Sequence, residues 1–224
     1  MLIVGGSRGI GLAVAEHYHT KVENLICVSR TRSPFGNWIE ADVAINADLD
    51  RVCAAFENRS LDALLYLGGI WEKNAFTADY DFANSSDDEI DRVIAVNLIA
   101  PIKFVKRLIP ALERSPNPKV IFIGSLSGLD HQASREVANS ASKFGLRGAA
   151  QALAIELRQT AIGFTVINPG NIATPEVLND IASETFPSQI PIPLSDLIAV
   201  IDCSLSLSAD SYLPEVNLAQ TKTG

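Results

Sequence analysis

The stretch Val4-Gly5-Gly6-Ser7-Arg8-Gly9-Ile10-Gly11 decides the fold, because this glycine-rich turn lies between an apolar run at residues 2–4 and a helical pattern at residues 10–19. Glycines remove the Cβ atoms that would keep the backbone away from a pyrophosphate, and a helix N-terminus offers unpaired N–H groups to its charge. A strand, a glycine turn and a helix in this order predict a dinucleotide site. Its candidate residues are Gly5, Ser7, Arg8, Gly9, Ile10 and Gly11.

Further apolar runs of strand length alternate with segments of helical period along the chain. Such alternation predicts βαβ units and an α/β fold with a doubly wound parallel sheet. We expect one Rossmann domain over residues 1–224, because no repeat, low-complexity tract or linker divides the chain. The predicted strands are residues 2–4, 25–28, 63–67, 120–123 and 164–167, and residues 215–218 are a candidate for closing the sheet.

Capping residues and prolines indicate where the helices begin and divide. Asp48 and Asp50 are possible caps of the second helix, Ser86 begins a capping-box pattern, and Pro101 kinks or divides the helix that follows. Lone histidines at positions 17 and 19 of the first helix are expected to be structural. The predicted helices are residues 10–19, 49–57, 87–112 and 139–159, with a last helix after Pro193.

Two long segments, residues 71–85 and 170–193, have no clear period and are predicted to be irregular loops that overhang a ligand cleft. The first contains four aromatic residues, which line an apolar substrate pocket or pack locally under the loop. These aromatic residues are Trp71, Phe76, Tyr80 and Phe82.

Composition excludes several classes of protein. The net charge of −8 over 224 residues gives no general basic field for nucleic acid or for a membrane surface. The cysteines at positions 27, 53 and 203 form no ligand-like cluster, so neither a metal site nor a disulfide framework is expected. No apolar run approaches the ~20 residues of a membrane helix. The N-terminal residues lack a signal-peptide pattern, so we expect a cytoplasmic protein.

The residues after the second predicted strand indicate which dinucleotide is bound. An acidic side chain about twenty residues past the turn favours NAD, whereas an arginine suits the 2′-phosphate of NADP. The second run ends in Ser29-Arg30-Thr31-Arg32 without a carboxylate, and Arg8 is a further cation within the turn. Because a guanidinium can make two charge-assisted hydrogen bonds to one phosphate, we predict NADP(H) as the cofactor.

The Gly-x3-Gly-x-Gly spacing of the turn and several later motifs resemble the short-chain dehydrogenase/reductase family over nearly the whole chain. Asp42-Val43 resembles the family's adenine-contacting pair, and residues 169–174 resemble its nicotinamide-side loop. Asn97 resembles the family's asparagine, which has a structural and a catalytic role, and Ser125 resembles its catalytic serine. The resemblance adds as cofactor contacts Asp42, Val43, Gly68, Gly69, Asn97, Lys143, Pro169, Gly170, Ile172 and Thr174.

The sequence departs from that family at Val4, which stands where the family usually has threonine, and at two later places. Tyr66-Leu67-Gly68-Gly69 stands where the family has Asn-Asn-Ala-Gly, so the usual side-chain hydrogen bonds of that turn are missing. Asn139-Ser140-Ala141-Ser142-Lys143 is similar to the family's Tyr-x-x-x-Lys pattern, with Asn139 in place of the proton-exchanging tyrosine. The i, i+4 spacing still puts residues 139 and 143 on one helix face. An asparagine has no proton that titrates in an accessible range, so it cannot be a general acid.

General acid–base catalysis contributes ~10²–10⁴ in rate, so carbonyl reduction is expected to be severely slowed unless another group supplies the proton. The nearest helix and loop offer hydroxyls and an imidazole, none with a strong claim. The candidates are Ser127, Ser140, His131, Tyr80 and a water held by Asn97 and Lys143.

Three functions follow from these observations. The first is an NADP(H)-dependent oxidoreductase that acts on a small carbonyl, alcohol or activated C=C substrate, with Asn97, Ser125, Asn139 and Lys143 at its site and altered proton delivery. The second is a catalytically silent NADP(H)-binding subunit or sensor, and the third is a non-redox lyase or isomerase on the same scaffold. The expected partner is a small molecule. The resemblance also implies a homodimer or homotetramer, formed through the helices at residues 87–112 and 139–159.

Overall fold

A parallel sheet of seven strands forms the centre of the molecule in the computed structural model, which describes residues 1–186 and 189–221. The strands are β1 (Leu2–Val4), β2 (Ile26–Ser29), β3 (Asn37–Glu40), β4 (Ala63–Tyr66), β5 (Lys119–Ile123), β6 (Gly163–Pro169) and β7 (Glu215–Leu218). Their order in the sheet is β3-β2-β1-β4-β5-β6-β7, with every neighbouring pair parallel. The predicted doubly wound architecture is therefore confirmed.

Helices cover both faces of this sheet. Alternate side chains of the buried strands point to opposite faces, so Leu2 and Val4 join one apolar core and Ile3 the other. The helices α2, α4 and α5 pack on the first core, and α1 and α7 pack on the second. The helices are α1 (Gly9–Tyr18), α2 (Asn46–Ala54), α3 (Asp87–Ile94), α4 (Ala100–Leu112), α5 (Val137–Glu156), α6 (Pro175–Ala182) and α7 (Leu194–Ser206).

Three expectations about local structure were wrong. The edge strand β3 was missed, because a strand with one neighbour keeps polar, exposed residues at both ends. Helix α6 lies inside a segment predicted to be irregular, where Thr174 caps the helix and Pro175 occupies its first turn. Ile45, rather than Asp48 or Asp50, is the N-cap of α2.

The region around Pro101 divides as predicted. Ser86 caps α3, since its Oγ accepts a hydrogen bond from the backbone N–H of Glu89 at 3.2 Å. A π-helical turn at Ala95–Ile99 then separates α3 from α4, and Pro101 lies in the first turn of α4. Asn97 is therefore carried on an irregular turn between two regular helices.

The histidine at position 17 has a structural role, although it is not without a partner. His17 Nε2 lies 3.0 Å from an oxygen of Asp202, and the Tyr18 hydroxyl donates to the same carboxylate at 2.5 Å, which ties α1 to α7. Within the described ranges, no group of three or more His, Cys, Asp or Glu side chains is placed to hold a metal ion. No helix in the described part of the chain is long and apolar enough to cross a membrane.

Candidate active site and dinucleotide cleft

The glycine turn lies where the order of the strands reverses, which is where open α/β sheets bind ligands. The turn follows β1, and Gly68 and Gly69 follow the neighbouring strand β4. Gly5 has a φ of +93°, and a Cβ atom there would lie 2.6 Å from the Gly68 Cα. Only glycine permits this backbone and this contact.

The N-terminus of α1 is open for an anion. Arg8 is its N-cap and makes no side-chain hydrogen bond to the helix, and the first hydrogen bond at this end joins Leu12 N to Arg8 O at 3.1 Å. The preceding N–H groups therefore remain available. A Cβ on Gly11 would lie 2.0 Å from Gly5 O, so a side chain would fill this cradle. These features fit a dinucleotide pyrophosphate.

A cavity of about 570 Å³ lies beside the end of β2. The Asp42 carboxylate accepts a hydrogen bond from Arg92 at 2.6 Å, and Asp48 pairs with Arg51 at 2.7 Å. Burial is the largest single influence and raises the pKa of Asp42, but the hydrogen bonds from Arg92 and Ala44 N and the charges of Arg92 and Arg30 together lower this pKa below its ordinary value. The cavity is lined by Arg30, Glu40, Ala41, Asp42, Asp48 and Arg51.

Among the described residues, no carboxylate lies within ion-pair distance of Arg30 or Arg8, and both side chains are exposed. Ser7 Oγ accepts a hydrogen bond from the Thr31 hydroxyl at 3.0 Å, which joins the turn to the loop after β2. Arg30 and Arg8 are therefore exposed cations near this loop, and Arg30 is close enough to Asp42 to help lower the pKa of that carboxyl. Val43 is half-buried.

Asn97 holds the loop after β4 in place. Its Oδ1 accepts from Ile70 N at 2.9 Å, and its Nδ2 donates to Ile70 O at 2.8 Å, so both ends of one backbone unit are bound. A Cβ on Gly69 would lie 3.7 Å from both Asn97 Oδ1 and Lys143 Nζ. The predicted residues Gly69, Asn97 and Lys143 therefore come together, from three different elements.

The Asn139 side chain is buried next to Asn97. Its Oδ1 accepts a long hydrogen bond of 3.4 Å from Asn97 Nδ2, and no described residue accepts from its own Nδ2. One turn later, Lys143 Nζ donates to Ile123 O at 2.9 Å. Burial lowers the pKa of Lys143 from 10.5 to about 8. Lys143 is therefore a buried group that titrates close to neutral pH.

Ser125 begins a short 3₁₀ turn after β5. Its Oγ accepts hydrogen bonds from the N–H and the hydroxyl of Ser127, at 3.1 and 2.8 Å, which leaves its own hydrogen to donate. Gly128, at the end of this turn, packs directly on Lys143, since a Cβ there would lie 2.9 Å from the Lys143 carbonyl carbon. The turn thus carries Ser125 to the same end of α5 as Lys143.

The loop after β6 closes the nicotinamide side of the cleft. Gly170 N donates to Leu218 O at 2.9 Å, and Ile172 is buried. Thr174 was predicted to contact the cofactor, but its hydroxyl caps α6 by accepting from Val177 N at 3.3 Å. Pro169 ends β6 itself.

Two of the alternative proton donors are engaged elsewhere. Ser127 donates to Ser125 and the Ser140 hydroxyl donates to Ser134 O, whereas Tyr80 Oη accepts from Val137 N and keeps its own hydrogen. His131 lies on the surface in a left-handed conformation, with a φ of +63°. Lys143, one turn after Asn139, donates one hydrogen bond to Ile123 O and has further hydrogens to give.

Sequence reasoning missed two features of this site. Tyr66, whose place in the family pattern belongs to asparagine, donates from its buried hydroxyl to Val96 O at 2.6 Å and so braces the turn that carries Asn97. Burial raises the pKa of this phenol. Glu72 and Glu136 are buried carboxylates that join residues 71–85, the aromatic loop, to the start of α5. Only the unusual tyrosine at position 66 gave a signal in the sequence.

Comparison with known proteins agrees with this geometry. The family model described as short chain dehydrogenase matches residues 1–184. The chain belongs to the short chain dehydrogenase family. Short chain dehydrogenase ausX of Penicillium brasilianum is 28% identical over 199 residues, 84% of this chain and 74% of that protein. The 3-oxoacyl-[acyl-carrier-protein] reductase MabA of Mycobacterium bovis is 29% identical over 181 residues, 78% of this chain and 69% of that protein.

Solved structures share the fold at lower identity. BdcA in complex with NADPH superposes with a TM-score of 0.79 at 20% identity, covering 97% of this chain and 91% of that one. The short chain dehydrogenase family is a family of oxidoreductases, and the Rossmann sheet with its glycine turn is the part of it that this chain retains most fully.

Proposed function

We propose that the protein is an NADP(H)-dependent oxidoreductase that acts on a small carbonyl, alcohol or activated C=C substrate. The observation that carries this proposal is the open N-terminus of α1 at the carboxyl edge of the sheet, the edge at which Asn97, Ser125 and Lys143 also lie. A bound nicotinamide would supply the hydride, and the chain's own residues would hold and polarise the substrate.

The choice of NADP(H) over NAD(H) is supported by Arg30 and Arg8, which are exposed and have no carboxylate within 4 Å among the described residues. One charge-assisted hydrogen bond to a 2′-phosphate changes affinity by about 10- to 100-fold. Arg30→Ala should therefore weaken NADPH binding by at least about tenfold in a calorimetric titration and leave NADH binding unchanged. Arg32→Ala, an exposed arginine two positions on, is the matched control. Equal affinity of the wild type for NADH and NADPH would contradict this cofactor choice.

Two side chains can polarise a substrate carbonyl without transferring a proton. The Ser125 hydroxyl and Asn139 Nδ2 each have a hydrogen that no described residue accepts, and both lie near the start of α5. Two such donors stabilise negative charge on the carbonyl oxygen as the carbon is reduced.

Proton supply is assigned to Lys143 Nζ, directly or through a water that it binds. Its ammonium donates one hydrogen bond to Ile123 O and keeps further hydrogens for the cleft. Because burial brings the pKa of Lys143 to about 8, the rate of reduction should fall as the pH rises above about 8. A reduction rate that stays constant from pH 7 to 10 would contradict this assignment.

A panel of ketones and enones, followed by NADPH oxidation, tests the redox activity. Turnover with at least one compound is expected, with enones favoured because water can protonate the resulting carbanion. No turnover despite measurable NADPH binding would favour the second candidate function, a catalytically silent NADP(H)-binding subunit, for which the loss of the tyrosine at position 139 is the supporting observation. Asn139→Tyr separates the two, since it would create activity in a silent protein and disturb a native activity that depends on Asn139. Product formed without net cofactor turnover would indicate a lyase or isomerase.

A homodimer or homotetramer is also proposed, in the cytoplasm. Large apolar side chains of the long helices are exposed, among them Ile102 of α4 and Phe144 and Ile155 of α5. Light scattering after size exclusion should give a mass of two or four chains, and a monomer at micromolar concentration would contradict the proposal.

A further inference from the structure

Glu72 is a buried carboxylate at the junction between the aromatic loop and Asn139. Its residue is 5% exposed, and Oε1 accepts hydrogen bonds from Ala138 N at 2.8 Å and Asn139 N at 3.0 Å. The other oxygen, Oε2, is also buried and has no hydrogen-bond partner in the described part of the chain. Because a buried oxygen without a partner is destabilising, this atom is an acceptor that awaits a donor.

The position of this carboxylate is fixed from several directions. The aromatic loop is bound to the start of α5 by Glu136 Oε1, which accepts from Phe76 N at 2.8 Å, and by the Tyr80 hydroxyl, which accepts from Val137 N at 3.2 Å. Phe76 has a φ of +67°, a conformation that its bond to Glu136 helps to hold. The two bonds to Oε1 therefore hold the Glu72 carboxylate at the start of α5, where Oε2 is also buried.

Two aromatic residues share the loop that carries this acceptor. Trp71, the residue before Glu72, contacts Phe76 edge to face at 6.1 Å between ring centroids, and Phe76 contacts Phe186 of the loop after α6 at 5.8 Å. Trp71 is 52% exposed and Phe76 is 40% exposed, so their rings keep free apolar surface. An apolar group of ring size would pack on these rings.

We propose that Glu72 Oε2 recognises an O–H or N–H donor on a substrate whose apolar, ring-sized body packs on Trp71 and Phe76. The inference rests on the proposed function in placing the reacting carbon near Asn139, and it adds the substrate class: an apolar ring that bears a hydroxyl or amino group. Buried polar groups that must be satisfied are strong discriminators, because an analogue without the donor leaves Oε2 unpaired.

Fluorescence of Trp71 tests this without any turnover. The protein has two tryptophans, so Trp71 quenching is measured in a Trp38→Phe background, without cofactor, with benzyl alcohol, benzylamine and benzyl methyl ether as probes. The ether has the same ring and no donor. We expect at least one donor probe to bind about tenfold more tightly than the ether, and the alcohol and amine arms distinguish a neutral from a cationic donor.

Glu72→Gln should reduce this preference to less than about threefold, because the amide oxygen can still accept from residues 138 and 139 while an NH₂ group replaces Oε2. Glu136→Gln, the same exchange at the buried carboxylate in the N-cap position of α5, should keep the preference. Melting temperatures check that both variants fold. Equal binding of alcohol, amine and ether to the Trp38→Phe protein would overturn the inference even if Glu72→Gln failed to fold. A preference that survives in folded Glu72→Gln would overturn it as well. Neither outcome depends on NADPH chemistry, so failure here is distinct from failure of the proposed function.

Discussion

Replacing Lys143 by methionine should stabilise the protein at neutral pH, although it removes a residue of the proposed site. Burial lowers the pKa of Lys143 from 10.5 to about 8. Each tenfold change in acidity corresponds to 1.36 kcal/mol, so keeping the ammonium in the folded state costs about 3 kcal/mol. The hydrogen bond to Ile123 O, which methionine cannot make, stabilises the folded wild type by about 1 kcal/mol. The free energy of unfolding should therefore rise by about 2 kcal/mol in Lys143→Met at pH 7. For a chain of this size, that gain is a rise in Tm of about 4–8 °C.

The sign of the pH dependence follows from the same shift. Below pH 8 the lysine is charged in the folded and unfolded states, so the destabilisation is complete. Between pH 8 and 10.5 the unfolded state binds the extra proton, and the stability of the wild type therefore rises with pH relative to the variant. Above pH 10.5 the lysine is neutral in both states and the advantage of methionine disappears.

Urea denaturation of both proteins from pH 6 to 10.5 measures this difference directly. Lys106→Met, at an exposed lysine of α4, is the control and should show no such pH dependence. A difference between wild type and Lys143→Met that stays constant over this range, or a variant less stable at pH 7, would refute the reasoning.

Three further predictions concern the scaffold of the site. Gly11→Ala places a Cβ 2.0 Å from Gly5 O, so NADPH binding should be lost by calorimetry and stability should fall by about 1–3 kcal/mol; retained binding would show that the turn can relax. Tyr66→Phe removes the donor to Val96 O and should cost about 1–3 kcal/mol in chemical denaturation, against no change if that carbonyl finds another donor. Ser86→Ala removes the cap of α3 and should lower the free energy of unfolding by about 1 kcal/mol. Ser86→Asp keeps a capping side chain and should be as stable as the wild type; a less stable Ser86→Asp variant would speak against the capping role.

The sequence was most informative where local patterns coincide with burial. The strands β1, β4, β5 and β6 are buried along their whole length and mostly apolar, so their positions could be predicted within one or two residues. The strand β3 could not be found in this way, because an edge strand has fewer buried positions to mark it.

The site shows the same division. The glycine turn and Lys143 are recognisable because their chemistry depends on local spacing, and the structure brings Lys143 to Asn97 as the resemblance implied. Glu72 accepts hydrogen bonds from the backbone of Ala138 and Asn139, which lie 66 and 67 positions later in the chain. These partners are backbone groups, so no side-chain pattern reveals them. Contacts of this kind depend on the packing of a loop and cannot be deduced from either segment alone.

The hydrogen bonds between the aromatic loop and the start of α5 have a consequence for protein engineering. They bind residue 139 through its backbone N–H, so the place of this residue does not depend on its side chain. Other functional groups, such as an imidazole, a carboxylic acid or a phenol, can therefore be installed at the same point and compared directly. Variants at position 139 would therefore allow the rates supported by different proton donors to be compared within one protein.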